Sequence, residues 1–339
     1  MKQFHGVEVD RLLGIKGKNG YGVSIAITKG DETETYCSGS GRFGQVFPVH
    51  PDMLFQAGSV SKPAFALTLL RFSDQGIVDL DADISGVITD FVNTSTTFSA
   101  LLSHTAGFNL RDFPGYRANA PLLTTEDILS GRGNTPKLRR IKPYGKQYSY
   151  SGGGVTLAEL AFTRITGMTL RDAFRKEVAE PLGLIRTGFF QPLDEHLIPD
   201  AAFGGRLGIH EDPEHGYHYY PELAAAGLWS TPRELNRIGI ALGRSVRFGG
   251  LLKKETAERM MTPVMDGYGL CIENLGSDIG FHGGWNEGYL TKWMFSLQQD
   301  LCVTCMLNRS THPLSRKQLE VTNELFQVMT NVPPAEGRI

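Results

Sequence analysis

The stretch Phe55–Leu70, FQAGSVSKPAFALTLL, decides the fold prediction, because a serine and a lysine one helical turn apart precede a long apolar run. A helix that begins near Ser59 brings Ser59 and Lys62 onto one face. Pro63 fits the first turn, where backbone N–H groups have no intrahelical partner. Partial burial lowers a lysine pKa from about 10.4 toward a range in which the amine accepts a proton. The pair is therefore interpreted as a nucleophile and its base, with a serine cap and a surface lysine as the alternative.

Strand patterns occur at both ends of the chain and helical patterns lie between them. This order predicts an α/β (α+β) protein, with an antiparallel sheet flanked by helices and an inserted all-helical subdomain. The sheet domain is expected over 1–63 and 221–339, the helical subdomain over 64–220, and the active site between them. The strand predictions are 21–30, 32–44, 52–58, 267–274, 279–285, 288–299 and 301–310, and a closing amphipathic helix is predicted over 315–330.

The bulk composition excludes several classes of protein. Of 339 residues, 41% are hydrophobic and 21% charged, which is typical of a globular chain and not of a disordered one. The net charge of −2 provides no global field for nucleic acid, so no nucleic-acid partner is expected. The sequence has no apolar run of about 18 residues and no signal-peptide h-region at its start, so we expect no membrane span and a cytoplasmic location, with a periplasmic or secreted location as the alternative if a signal peptide was removed. The oligomeric state stays open.

Two distant segments add candidate site residues. In GKQYSYSGGG, Tyr150 stands before three glycines that permit close approach of a ligand to the backbone. A phosphate-binding loop is the competing interpretation, but no Gly-Lys-Ser/Thr follows. In GFHGGWNEGY, His282 lies on or beside a predicted strand, and the small Gly283 and Gly284 would let a substrate lie against the backbone. A structural histidine is the alternative there.

In this order, the three segments resemble the motifs of the serine β-lactamase-like family, which includes class C β-lactamases, D-alanyl-D-alanine peptidases, D-aminopeptidases and related esterases. S-x-x-K appears as Ser59–Lys62, Y-x-N as Tyr150–Gly152, and K-T-G or H-x-G as His282–Gly284. ALLSHTAGF, EPLGLIRTGF and AAAGLWSTPRELNRI resemble further family segments. The likeness spans roughly 20–310 and implies a β-lactamase/penicillin-binding-protein-like fold.

The resemblance also implies roles. Ser59 would attack a carbonyl and become acylated, and Lys62 or Tyr150 would serve as the principal base. The backbone N–H groups of Ser59 and Trp285 would form the oxyanion hole. No cofactor is implied, and the expected partner is a small-molecule ester, amide or peptide substrate.

Two departures from the family motifs bear on the substrate. Gly152 replaces an asparagine that would hold a substrate amide, and His282 replaces a permanently charged lysine. Both changes favour an esterase or a D-amino-acid amidase, with peptide substrates and weak β-lactam hydrolysis still open. A non-catalytic penicillin-binding sensor or scaffold is the alternative from another class. The predicted substrate-binding residues are His282, Gly283, Gly284, Gly152, Phe108, Tyr217 and Trp229, with core packing as the alternative for the aromatic ones.

Neither the histidines nor the cysteines predict a metal or redox site. His210, His215 and His218 match none of the standard zinc spacings and indicate a solvated loop. Cys302 and Cys305 form a C-x-x-C, but on a strand these positions face opposite sides, so both are interpreted as core residues. The sequence therefore predicts no metal.

Overall fold

The structure is a computed structural model that describes residues 3–4, 7–8, 21–42, 45–117, 119–204, 216–274, 278–310, 317 and 320–327. Its strands are β1 (Gln3–Phe4), β2 (Val7–Glu8), β3 (Val23–Lys29), β4 (Glu32–Ser38), β5 (Phe55–Gln56), β6 (Tyr116–Arg117), β7 (His218–Tyr219), β8 (Trp229–Ser230), β9 (Glu273–Asn274), β10 (Ile279–Asn286), β11 (Tyr289–Ser296) and β12 (Leu301–Leu307). Its α-helices are α1 (Ser61–Asp74), α2 (Phe98–Leu102), α3 (Thr125–Leu129), α4 (Gly152–Thr166), α5 (Leu170–Phe174), α6 (Glu180–Leu182), α7 (Leu223–Ala226), α8 (Pro232–Phe248) and α9 (Lys254–Met261).

The main sheet joins the two ends of the chain. Its order is β4-β3-β12-β11-β10-β9, and every neighbouring pair is antiparallel. The two cysteines of β12 show how the sheet divides the core, because Cys302 packs in the larger apolar cluster and Cys305 in the cluster on the other face. The antiparallel sheet with flanking helices is confirmed, and both cysteines are buried core residues that form no disulfide, on opposite faces as expected from strand alternation.

Of the three longest helices, α8 packs on the main sheet, whereas α1 and α4 pack against each other and against α7. Helix α8 begins after Thr231, whose side chain accepts a hydrogen bond from the Glu234 amide, and it packs on β3, β11 and β12. Helix α4 ends at Gly167, which adopts the left-handed conformation typical of a C-cap. Helix α1 is buried along most of its length, so its first turn lies inside the protein and not at its surface.

Three local expectations need correction. Gly58–Val60 is a 3-10 turn, so the α-helix begins at Ser61 and not at Ser59. The predicted strand 267–274 is mostly irregular because Cys271 has a positive φ of 57°, which a strand cannot accommodate, and only β9 is extended. The strand predicted at 52–58 is reduced to β5, which pairs with β8 outside the main sheet.

The proposed division into a sheet domain and an inserted helical subdomain stays a prediction. The closing helix is observed over 320–327, and its apolar side chains pack in the same core cluster as Cys305. Among the described residues, no helix has the length and apolar character needed to cross a membrane. His210 and His215 lie outside the described residues.

Candidate active site

Ser59 and Lys62 meet at the start of α1. The Lys62 Nζ donates hydrogen bonds to Ser59 Oγ at 2.9 Å and to the Ala225 carbonyl oxygen at 2.8 Å. Lys62 is only 2% exposed. Burial lowers the pKa of Lys62 to about 8, because desolvation penalises the ammonium form. The helical spacing read from the sequence thus produces direct contact between a hydroxyl and an amine that is unusually easy to deprotonate.

Tyr150 approaches the pair from the segment just before α4. Its ring centroid lies 5.0 Å from Lys62 Nζ. Desolvation raises the pKa of Tyr150 well above its usual value, and hydrogen bonding to the Ser59 side chain opposes only part of that shift. The phenol therefore keeps its proton at neutral pH, whereas the neighbouring amine loses its proton more easily. The structure brings together all three residues that were predicted as catalytic.

The edge of β10 packs directly on the 3-10 turn that carries Ser59. A Cβ at Gly284 would lie 2.0 Å from the Ala57 carbonyl oxygen and 3.3 Å from the Ser59 nitrogen. A Cβ at Gly58, which has a φ of +54°, would lie 2.6 Å from the Trp285 nitrogen. Only glycines permit this approach, and it makes the backbone N–H groups of Ser59 and Trp285 neighbours.

His282 lies on β10 facing this turn, but both of its ring nitrogens already have protein partners. Nε2 lies 3.0 Å from the Tyr268 hydroxyl, and Nδ1 lies 2.6 Å from the Gly283 carbonyl oxygen. The Tyr268 hydroxyl is also 3.2 Å from His104 Nε2, and His104 Nδ1 accepts a hydrogen bond from the Ser151 amide at 3.1 Å. Burial lowers the pKa of His282 to about 3, so this ring is neutral.

Sequence reasoning missed the participation of His104 and Tyr268. His104 lies in the SHTAG segment, where it was interpreted as structural, yet its ring packs 4.4 Å from the ring of Tyr150. Tyr268 fell within a predicted strand and carried no motif. The one available signal was the His104 segment itself, which resembles a family segment of its own.

A cavity of about 410 Å³ opens at the edge of β10. Its lining residues are Ser59, Arg111, Asp112, Tyr148, Tyr150, Asp266, Tyr268, Glu273, Phe281, His282, Gly283, Gly284, Trp285, Leu290 and Lys292. Lys292, on β11, was also missed by the sequence reasoning. It reaches the cavity across its register partner Gly283, where a Cβ would lie 2.8 Å from Lys292 Nζ. The Lys292 side chain therefore reaches the cavity from β11, the strand that pairs with the His282–Gly284 segment of β10.

The other predicted substrate-binding residues lie at different depths. Phe108 lines an adjoining cavity of about 430 Å³ that shares Tyr148 and Tyr150 with the first. Tyr217 and Trp229 are a correction, because both are buried and pack edge-to-face at 5.4 Å in the core instead of lining these cavities. Gly152 is also buried away from the cavity, and a side chain there would collide with Phe113 at 2.8 Å.

Two buried carboxyl groups lie behind the segment that holds Lys62. Glu159 on α4 accepts a hydrogen bond from the Ala224 amide at 2.8 Å, one residue before the carbonyl that binds Lys62. Burial raises the pKa values of Glu159 and Glu222 to about 8 each, and each carboxyl is therefore protonated near neutral pH. These neutral acids add no negative charge that would stabilise the Lys62 ammonium.

The chain is similar in sequence to curated proteins of several kinds. It is 24% identical over 196 residues to penicillin-binding protein 4* of Bacillus subtilis (strain 168), covering 56% of this chain and 43% of that protein. It is 28% identical over 156 residues to esterase EstB of Burkholderia gladioli, covering 42% and 40% of the two chains. The chain spans about half the length of the curated relatives it matches.

Solved structures share the fold over a larger part of the chain. The structure of D-amino acid amidase from Ochrobactrum anthropi SV3 complexed with L-phenylalanine amide superposes with a TM-score of 0.74 at 21% identity, and the match covers 91% of this chain and 94% of that one. The family model described as Beta-lactamase matches residues 14–324, which is most of the sequence. The family predicted from the three motifs is thereby confirmed: the chain belongs to the Beta-lactamase family.

Proposed function

We propose that this protein is a serine hydrolase that cleaves small esters through an acyl-enzyme on Ser59. The observation that carries the proposal is the 2.9 Å hydrogen bond between Ser59 Oγ and a buried Lys62 whose pKa is lowered to about 8. A hydroxyl becomes an effective nucleophile when an adjacent group can take its proton, and a lysine with a lowered pKa is such a group. The family's esterase and amidase relatives support the same reaction class.

In the acylation step, Ser59 Oγ forms a bond to the substrate carbonyl carbon and its proton passes to the free amine of Lys62. The carbonyl electron pair moves onto oxygen, and the N–H groups of Ser59 and Trp285 stabilise the resulting oxyanion. Lys62 acts as the base because its pKa lies far below that of Tyr150. This difference supports Lys62 over Tyr150 as the principal base.

In the collapse of the tetrahedral intermediate, the bond to the leaving group breaks and Tyr150 donates a proton to the departing oxygen or nitrogen. The Lys62 ammonium returns a proton to Tyr150, so the pair ends with its original protonation states. Water then attacks the acyl carbon and gives a proton to Lys62. The bond between the acyl carbon and Ser59 Oγ breaks, and Lys62 returns that proton to Oγ, which releases the acid and restores the Ser59 hydroxyl.

The test of this proposal is a chromogenic acetate or butyrate ester assay on wild type, Ser59→Ala and Lys62→Met. We expect both variants to lose at least a hundredfold in kcat/KM, and intact mass after a fluorophosphonate to show one adduct on wild type and none on Ser59→Ala. Equal ester turnover by wild type and Ser59→Ala would refute the mechanism. Absence of both turnover and labelling in wild type would favour a non-catalytic sensor or scaffold.

A second candidate is a D-amino-acid amidase or related D-aminopeptidase, and it is favoured by three carboxyl side chains that line the cavity, against the two cationic ones of Arg111 and Lys292. Asp112, Asp266 and Glu273 line the same cavity as Ser59 and offer charge complementarity to a substrate ammonium. The amidase with the matching fold was solved with L-phenylalanine amide. Release of ammonia from D- and L-phenylalaninamide measures this activity, and turnover of acetate esters with neither amide cleaved would leave the esterase alone.

A further inference from the structure

The hydrogen-bond chain Ser151–His104–Tyr268–His282–Gly283 has fixed backbone groups at both ends. The Ser151 amide can only donate, so His104 Nδ1 carries no proton and His104 Nε2 must hold the proton of the neutral ring. At the other end the Gly283 carbonyl oxygen can only accept, so the His282 proton resides on Nδ1 and Nε2 is an acceptor.

The two ends determine the direction of every bond in the middle. His104 Nε2–H donates to the Tyr268 oxygen at 3.2 Å, and the Tyr268 hydroxyl donates to His282 Nε2 at 3.0 Å. Each group has one proton and one acceptor for it, so no conflict arises along the chain. All three side chains are buried, where an unmade hydrogen bond costs more than at the surface.

We propose that Tyr268 is a positioning residue for the reaction: its hydroxyl bridges His104 and His282, whose opposite tautomers the backbone groups at the two ends fix, and thereby holds both neutral rings in place beside Tyr150. The effect expected on kcat rests on the proposed function, whereas the two tautomers do not depend on it. The ring centroid of His104 lies 4.4 Å from that of Tyr150, and the centroid of His282 lies 6.5 Å from it. Tyr268 itself meets the Tyr150 ring edge-on at 6.3 Å.

The charged and titratable groups around the chain agree with neutral rings. Burial is the main cause of the lowered pKa values of His104 and His282, and Lys62 on α1 lowers both further; Arg111 adds to the effect on His104 and Lys292 to the effect on His282. The phenols of Tyr148 and Tyr150, the Cys271 thiol and the Glu273 carboxyl also lie near the chain, and burial raises the pKa of each. His282 in this arrangement offers a substrate neither a positive charge nor a ring N–H that is free to donate a hydrogen bond.

The test is ¹⁵N NMR of histidine-labelled protein between pH 5 and 8, with signals assigned from His104→Gln and His282→Gln. We expect two rings that do not titrate over this range, His104 protonated on Nε2 and His282 on Nδ1. An imidazolium at either position near pH 6, or the same tautomer at both, would overturn the proposal. This measurement on wild type needs no activity, so it remains decisive even if the ester assay fails.

The matched variants are Tyr268→Phe and Tyr148→Phe. Tyr148 also packs against His104, at 6.0 Å between centroids, and against Tyr268, but the structure shows it no hydrogen bond to either histidine. We expect Tyr268→Phe to alter both histidine spectra and to lower kcat for an acetate ester about tenfold with KM nearly unchanged. Tyr148→Phe should leave both tautomers as in wild type. Wild-type histidine spectra and wild-type kcat in folded Tyr268→Phe would also refute the proposal.

Discussion

The lowered pKa of Lys62 leads to a quantitative prediction about pH. With a pKa of about 8, about one Lys62 in ten is a free amine at pH 7, whereas an unperturbed lysine with a pKa of 10.5 gives about one in 3,000. Burial thus makes the free base about 300-fold more abundant, a differential of about 3 kcal/mol between the two protonation states. If Lys62 is the base, kcat/KM for a neutral ester rises with pH as the ammonium loses its proton and levels off above about pH 9.

Two charged side chains near Lys62 allow its assignment as the base to be tested, because their removal should shift its pKa in opposite directions. Asp112 raises the pKa of Lys62 and Arg111 lowers it. Both side chains are mostly solvent-exposed and pair with each other at 3.2 Å, so their replacement should not unfold the protein. A unit charge about 10 Å away in water contributes about 0.4 kcal/mol, or about 0.3 pKa units. Asp112→Asn should therefore move the inflection to lower pH, and Arg111→Gln should move it to higher pH.

The assay is kcat/KM for p-nitrophenyl acetate from pH 6 to 9.5 at low salt, because added salt screens exposed charges. The rate of Ser59→Ala at each pH is subtracted to remove hydroxide-driven hydrolysis. The position of the inflection, and not the plateau, is the quantity compared, since Arg111 also lines the cavity. A flat profile over this range, or two variants that shift the inflection in the same direction, would refute Lys62 as the base.

Three further predictions concern the surrounding structure. Burial raises the pKa of Glu222 in the folded state to about 8, above its unfolded value of about 4.5. The free energy of unfolding that depends on this group is therefore fully present below about pH 4.5 and is lost as pH rises through 8. The melting temperature should fall less between pH 4.5 and pH 8 for Glu222→Gln than for wild type. Gly284→Ala should lower ester kcat/KM at least a hundredfold because its Cβ meets a backbone oxygen at 2.0 Å, whereas Gly86→Ala, with open space around the Cβ, should retain wild-type rates. Lys292→Met should lower kcat/KM for a carboxylate-bearing ester about tenfold relative to a neutral one, and an unchanged ratio would show that Lys292 contributes no charge recognition.

The sequence by itself determined the contacts that depend on local spacing. A serine and a lysine three residues apart at the start of a helix must share a face, so the Ser59–Lys62 contact follows from helical geometry whichever residue begins the helix. The sequence also predicted four of the six strands of the main sheet within a few residues, because β-branched runs bounded by turn residues are a local signal. The apolar run after Lys62 indicated burial and therefore a lowered pKa.

Only the tertiary structure decided which distant groups complete the site. Tyr268 contacts His104 and His282 from a segment that was predicted to be a strand, and the positive φ values of Asp266, Gly267 and Cys271 in and beside that segment leave no periodic signal in the sequence. Lys292 enters the cavity because the β10–β11 register sets it beside Gly283, and Trp229 is buried although it looked like a pocket residue. Strand register and side-chain burial depend on the whole packed core, so they cannot be predicted from the residue types along one segment.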